Sequence, residues 1–290
     1  MRKKAMAAFK AYTDRYDVAD IKIKLKIDHT YRVAGIAERI AKSLELDEMS
    51  VDFCWLLGLL HDIGRFEQLR RFGTFIDRDS IDHAELGADI LFSETDGDVE
   101  SAGGAGGATG ATGEPLINTF INPDDWLDPE DEDFDGWDEM AGMCEAAIRL
   151  HNKLTLPEDL DEGTRLFATI LRDADKCDIF RVLTEPPYDE RNARIVKGSE
   201  DGTMEPARDD VMCCVHEHRC VPKTFERTDF ESLISQCCMA FELEYDASRK
   251  IVNEQGYLEK LMSLDVADER MAEQLATLRS EMQDAWEKNT

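Results

Sequence analysis

The sequence predicts an all-α protein with its own core, and three observations lead to this prediction. Apolar residues recur at steps of three and four along most of the chain, which is the period of an amphipathic helix. Alternation of apolar and polar residues never continues long enough to predict a strand. The chain has 290 residues, which is enough to bury a hydrophobic core. We therefore expect a helical domain over residues 1–207 and a helical extension over 208–290.

Four helices are predicted before residue 93. The third of them ends in an apolar stretch, 53–60, that has no polar face, so this helix should run through the middle of the domain. Either Ser80 or Asp82 is expected to cap the fourth helix. The predicted helices span 3–15, a segment from about 22 to 44, 48–61 and 81–92.

An insertion and a second helical region follow. A Gly/Ala/Thr tract over 96–113 cannot bury enough apolar surface to offset its ordering entropy, and an acidic run follows it. We expect a surface insertion at about 96–135 that is flexible in its first half. Residues 192–209 should form a polar connection, and the segment from 265 onward is polar on most faces. The later predicted helices span 139–152, 163 to about 182, 211–220, 230–245, 247–255 and 258 to the end.

Composition excludes several classes of protein. Lys and Arg total 34 against 63 Asp and Glu, a net charge of −29, and so negative a surface would repel a phosphate backbone. The apolar stretch after the basic start is too short for a signal peptide, and no apolar run approaches the roughly 20 residues of a membrane-spanning helix. Eight cysteines without a Cys-x-x-Cys pair are typical of a reducing compartment. We expect a cytoplasmic protein that binds neither nucleic acid nor membranes.

Histidine and aspartate side chains recur on apolar helix faces. His61 and Asp62 end the all-apolar helix, where two hydrophilic side chains are costly to bury unless something compensates them. A divalent metal ion compensates them well, because imidazole and carboxylate are its usual ligands. A single buried histidine is usually an ordinary hydrogen-bonded residue, but several on separate helices point to a metal centre. The candidate ligands are His29, His61, Asp62, His83, His151 and Asp175.

This pattern resembles the HD-domain metal-dependent phosphohydrolases, whose ligands follow the order His, His-Asp, Asp, often with two extra histidines between. The segments around the ligands are similar to the family as well: HTYRV from His29, HDIGRFE from His61, DHAELG from Asp82 and RDADK from Arg172. The resemblance covers roughly residues 22–183 without the insertion. It implies the helical HD fold and a metal centre, and it leaves the substrate open.

The resemblance implies a dinuclear centre with two divalent transition-metal ions. Imidazole and carboxylate ligands suit Mn, Fe, Co or Zn. A bridging carboxylate would hold the two ions about 3.5–4 Å apart, where they can share a hydroxide. The spacing of 68 residues between His83 and His151 departs from the compact spacing of the family because of the insertion. The implied ligands are His29, His61, Asp62 and Asp175 for one ion, and His83, His151 and the bridging Asp62 for the other.

The resemblance also implies an enzyme. It would hydrolyse a phosphomonoester, a phosphodiester or a nucleotide through a hydroxide shared by the two metal ions that Asp62 bridges, so its partner is a small phosphorylated substrate. Arg65 and Lys176 are the other candidate catalytic residues, since either could bind a phosphoryl oxygen or shield charge, although an ordinary salt bridge explains each equally well. Gly64 should permit a sharp turn and a close approach of substrate.

The sequence leaves two other functions open, and it contains one other candidate metal site. A di-iron HD-type oxygenase would use the same six ligands, and a non-catalytic module could sense a nucleotide. The cysteines and histidines over 213–220 include zinc-ligand residue types. Their spacing is tighter than that of ordinary structural zinc sites, so the sequence favours buried cysteines beside exposed histidines.

Overall fold

The computed structural model describes residues 1–93, 115–122, 136–186, 190–222 and 224–288. Of these residues, 73% are helical and none lies in a strand, which confirms the predicted all-α class. The chain divides into two compact units, Met1–Arg172 and Asp173–Thr290. The sequence-based domain boundary at residue 207 stays a prediction.

The described part of the first unit is built from helices that mostly begin and end within a few residues of the predicted bounds. Asp82 is the cap of the fifth helix, as one of the two predicted alternatives, because its side chain accepts a hydrogen bond from the Ala84 backbone N–H. The helices are α1 (Arg2–Thr13), α2 (Ile21–Ser43), α3 (Glu48–Leu60), α4 (Ile63–Phe72), α5 (His83–Phe92), α6 (Ile117–Phe120), α7 (Gly136–Leu150) and the first part of α8 (Glu162–Thr184).

Helix α3 is the centre of the first unit. Its residues from Phe53 to Leu60 are all buried, as the apolar pattern predicts. Helix α2 lies very close to α3, because Gly58 has no side chain where the two backbones meet. A Cβ atom at this position would lie 2.5 Å from the Ala34 Cα. This close packing brings the N-terminal half of α2 near the end of α3, where His61 lies.

Helix α4 was not predicted, and it changes the interpretation of Gly64. The expected sharp turn at Gly64 is wrong, because this residue is the second residue of α4. A Cβ atom on Gly64 would lie 2.3 Å from the His83 carbonyl oxygen and 2.7 Å from the Gly87 backbone nitrogen. The glycine is therefore required for the close packing of α4 against α5.

Most of the predicted insertion at about 96–135 lies outside the described residues, including its Gly/Ala tract and its acidic run. The segment 115–122 within it is described, and there the expected surface location is wrong. Phe120 is fully buried. The Lys4 ammonium donates a hydrogen bond of 2.8 Å to the Ile121 carbonyl oxygen, so this segment is packed against α1.

The described part of the second unit departs from prediction over 192–209 and after residue 258, where two helices replace the single helix predicted from there to the end. The expected polar connection over 192–209 is wrong in its first half, which belongs to a helix. The last helix buries Met271, Leu275, Leu278 and Met282, whose steps of four, three and four form one apolar face. The helices after α8 are α9 (Glu190–Asp201), α10 (Asp209–His216), α11 (Asp229–Cys238), α12 (Asp246–Gln255), α13 (Tyr257–Met262) and α14 (Glu269–Lys288).

The histidines of the 213–220 segment have a carboxylate partner in the second unit. His216 Nδ1 lies 2.8 Å from Glu281 Oε1, and His218 Nε2 lies 2.8 Å from Glu281 Oε2. All eight cysteines of the chain are free thiols, and most of them are buried. Within 213–220 only Cys214 is buried, whereas Cys213 is exposed and Cys220 is half-buried, so the expectation of buried cysteines is confirmed only for Cys214.

None of the described helices is both long enough and apolar enough to cross a membrane.

Candidate metal centre

Four helices of the first unit bring four imidazoles around one carboxylate. His29 lies on α2, His61 directly follows α3, His83 begins α5 and His151 directly follows α7. Together with Asp62, which precedes α4, these side chains belong to residues that are at most 5% exposed. The ring centroids of neighbouring imidazoles are 5.0 to 5.4 Å apart. The structure thus gathers five of the six predicted ligands in one buried cluster.

The two oxygens of Asp62 face different pairs of imidazoles. Oδ2 lies 3.7 Å from the Nε2 of His29 and 3.6 Å from the Nε2 of His61. Oδ1 lies 3.4 Å from the Nε2 of His83 and 4.0 Å from the Nε2 of His151. Oδ2 thus faces the imidazoles of His29 and His61, and Oδ1 faces those of His83 and His151.

Hydrogen bonds orient three of the imidazoles. His61 and His151 each direct Nδ1 to the backbone carbonyl three residues earlier, over 2.8 and 2.7 Å. His83 directs Nδ1 to the Asp77 carboxylate over 2.8 Å. Because a carbonyl or a carboxylate accepts the hydrogen bond, Nδ1 carries the proton and Nε2 presents a lone pair to the cluster. Second contacts of this kind are typical of metal-binding histidines.

The close contact between the His83 and His151 imidazoles is a position that a cation would stabilise. Their Nε2 atoms are 3.0 Å apart. With both Nδ1 atoms protonated, two lone pairs face each other at this distance and repel. A proton or a metal ion between the rings removes this repulsion, and imidazole and carboxylate together form a donor set for Mn, Fe, Co or Zn. The residues present therefore fit a divalent metal ion.

Two cations contact Asp62 at the more exposed edge of the cluster. Lys26 Nζ lies 2.6 Å from Oδ2, and Arg65 Nε lies 3.3 Å from Oδ1. Each of these side chains is 16% exposed, and each lies over the Phe75 ring, at 5.5 and 5.9 Å from its centroid. Sequence reasoning missed Lys26. The available signal was its position three residues before His29, which places both side chains on one helix face.

The charges in the cluster set the protonation of its members. Burial raises the pKa of Asp62, but the positive charges of Lys26 and Arg65 and the adjacent His61 lower it, so the net pKa lies well below the ordinary value. Burial and the nearby Arg65 lower the pKa of His83, and the hydrogen bond to Asp77 opposes this shift only in part. Both groups are thereby kept in the forms that bind metal, a carboxylate and a neutral imidazole.

Arg65 also links the carboxylate to the residues behind His83. Its Nη1 donates hydrogen bonds of 2.9 Å to Asp77 Oδ1 and to Gln68 Oε1. The buried Gln68 donates from Nε2 to the same Asp77 oxygen over 2.9 Å. Arg65 therefore shields the charge of two carboxylates and fixes the one that orients His83.

Asp175 and Lys176 lie on α8, just beyond the boundary of the first unit at Arg172. Asp175 is half-buried. Lys176 Nζ pairs with Glu242 Oε2 at 3.3 Å within the second unit, which is the salt bridge weighed against a catalytic role. The metal-binding role of Asp175 and the catalytic role of Lys176 stay predictions.

Comparison with known families agrees with the pattern of ligands. Residues 27–101 match the HD-domain family. The matched segment contains four of the predicted ligands, His29, His61, Asp62 and His83. A search of curated proteins and a search of solved structures found no match. This match therefore supports a relationship of residues 27–101 to the HD superfamily.

Proposed function

We propose that this protein is a metal-dependent phosphohydrolase that acts on a phosphomonoester, a phosphodiester or a nucleotide. The observation that carries the proposal is the position of Asp62, whose two oxygens each face a pair of buried imidazoles. HD domains bind divalent metals, and their family consists in general of metal-dependent hydrolases. A buried donor set of this kind inside an HD domain is best explained by that chemistry.

The proposed centre holds two divalent transition-metal ions, with Asp62 shared between them. Bound ions of this kind polarise phosphoryl oxygens and lower the pKa of a bound water molecule. The chain's own contribution is to hold the lone pairs in place, because the Nδ1 hydrogen bonds of His61, His83 and His151 prevent ring rotation. The proposed ligands are His29, His61, Asp62 and Asp175 for the first ion, and His83, His151 and Asp62 for the second.

Lys26 and Arg65 are proposed to bind the phosphoryl group. They are the cations that contact Asp62, and they lie at the exposed edge from which a substrate can approach. A net charge of −29 repels an anionic substrate from most of the surface, so local cations must provide the attraction. Positive groups held next to the developing negative charge also stabilise the transition state. The cytoplasmic location and the small phosphorylated substrate stay predictions.

The test is a screen of the purified protein against phosphate esters. The protein should be loaded in turn with Mn, Fe, Co and Zn and assayed with an aryl phosphate, a diester and a nucleotide set. We expect hydrolysis of at least one substrate with at least one metal. Inactivity across the whole panel would contradict the proposal. Oxygen uptake by the iron form without hydrolysis would favour the oxygenase, and tight nucleotide binding without turnover would favour the sensing module.

Replacing Lys26 by Met should lower kcat/KM by about 10²–10³-fold, because a cation next to the developing charge is lost. Metal content should not fall, since the substitution removes an ammonium group that competes for Asp62 Oδ2 at 2.6 Å. Elemental analysis and steady-state kinetics on the same sample check both statements. Lys24→Met is the matched control, because Lys24 is exposed on the same helix and should tolerate the change. Equal activity of the two variants would rule out this role for Lys26.

A further inference from the structure

A ladder of ion pairs joins α5 to the end of α7. Arg149 donates from Nη1 to Glu85 Oε2 over 2.7 Å and from Nη2 to Asp89 Oδ1 over 2.8 Å. Lys153 Nζ lies 2.6 Å from Asp82 Oδ2 and 3.2 Å from Glu85 Oε1. The three acidic residues follow one face of α5 at steps of three and four. We call these five residues the α5–α7 ladder.

Residues of the ladder are close in sequence to His83 and His151, the two histidines whose imidazoles are in contact. His83 directly follows Asp82, and His151 lies between Arg149 and Lys153 in the sequence. Asp82 caps α5 and also accepts a hydrogen bond of 2.7 Å from the Asn152 side chain. The Asp82 carboxylate therefore contacts the start of α5, which carries His83, and also Asn152, which directly follows His151.

The long sequence separation explains why such a connection is needed. His83 and His151 are 68 residues apart, although their Nε2 atoms are 3.0 Å apart. Because the two histidines are distant in the sequence, contacts between α5 and α7 themselves must set where one helix lies along the other. Apolar packing holds the two helices together but is not directional, whereas ion pairs at several successive positions oppose sliding. The position of one imidazole relative to the other thus depends on the ladder.

We propose that the α5–α7 ladder is the positioning device for the second metal ion, with Arg149 and Lys153 as positioning residues that act through His151. This inference rests on the proposed dinuclear centre. The ladder residues are partly exposed, so salt screens their interactions. Raising the ionic strength should therefore weaken binding of the second ion more than binding of the first, whose proposed ligands include the buried His29, His61 and Asp62.

The experiment is a metal titration of the full chain by calorimetry, with elemental analysis of the product. In Arg149→Met the first equivalent should bind as in the wild type, and the dissociation constant of the second should rise about tenfold. Lys153→Met should act in the same direction, and Arg149→Lys, which keeps one charge, should restore part of the affinity. Circular dichroism of each variant establishes that it is folded.

Arg2→Met is the matched control. Arg2 pairs with two carboxylates, Glu38 at 2.8 Å and Asp52 at 2.7 Å, whereas Arg149 pairs with Glu145 in addition to its two ladder partners. The Arg2 side chain is 30% exposed against 31% for Arg149. Its loss should leave both metal affinities unchanged. A wild type that binds two equivalents while Arg149→Met and Lys153→Met bind both as tightly would overturn the ladder's role alone. A wild type that binds one equivalent would overturn the dinuclear centre and the ladder's role together.

Discussion

Asp62→Ala should remove both of the proposed metal ions and reduce the proposed hydrolysis to the level of the metal-free protein. Its oxygens face all four buried imidazoles at distances between 3.4 and 4.0 Å, so no ion in this cluster can avoid the loss of this carboxylate. His83→Ala should instead remove mainly the second ion, because this imidazole faces Oδ1 only. Elemental analysis of each variant after equal metal loading measures the difference.

A conservative variant separates ligand loss from structural damage. Asp62→Asn keeps the side-chain volume and one carbonyl oxygen but loses the negative charge, so it should bind metal weakly and remain folded. Retention of the full metal complement by Asp62→Ala would show that the carboxylate is not shared. Equal losses in Asp62→Ala and His83→Ala would contradict the assignment of separate imidazole pairs to the two ions.

Gly64→Ala should lower the free energy of unfolding by about 1–3 kcal/mol or more. The added Cβ atom would meet the His83 carbonyl oxygen at 2.3 Å and the Gly87 backbone nitrogen at 2.7 Å. Both neighbours are backbone atoms, so no side-chain rotation can relieve the overlap, and α4 and α5 must move apart. This movement separates Asp62 from His83, so metal affinity should fall as well. Urea unfolding of the metal-free protein measures the stability change.

Gly35→Ala is the matched control for the overlap. Gly35 is within α2, and nothing lies within 4 Å of the Cβ position. Here the same substitution should stabilise the protein by about 0.5–1 kcal/mol, because alanine loses less backbone entropy in a helix. If Gly64→Ala were as stable as the wild type, the close packing of α4 on α5 would not limit this position.

Much of the fold could be predicted from sequence because helical periodicity is a local signal. The apolar stretch 53–60 indicated a central helix, and α3 is buried there. Helix α4 was harder to predict, since only two residues separate it from the end of α3 and its sequence mixes apolar and charged residues. The burial of Phe120 could not be predicted, because a four-residue helix between two stretches of low complexity has no periodicity to detect.

The sequence alone was enough to predict which residues belong to the candidate centre, because an imidazole or carboxylate on an apolar helix face is costly to bury unless something compensates it. Only the tertiary structure decided which groups meet. Lys26 lies 36 residues from Asp62 in the chain and contacts it at 2.6 Å, and Asp77 reaches His83 from outside any α-helix. The division of four imidazoles between two oxygens likewise depends on how α2, α3, α5 and α7 pack. Contacts between residues that are distant in the chain produce no periodic pattern in the sequence, so only the packing of the helices reveals them.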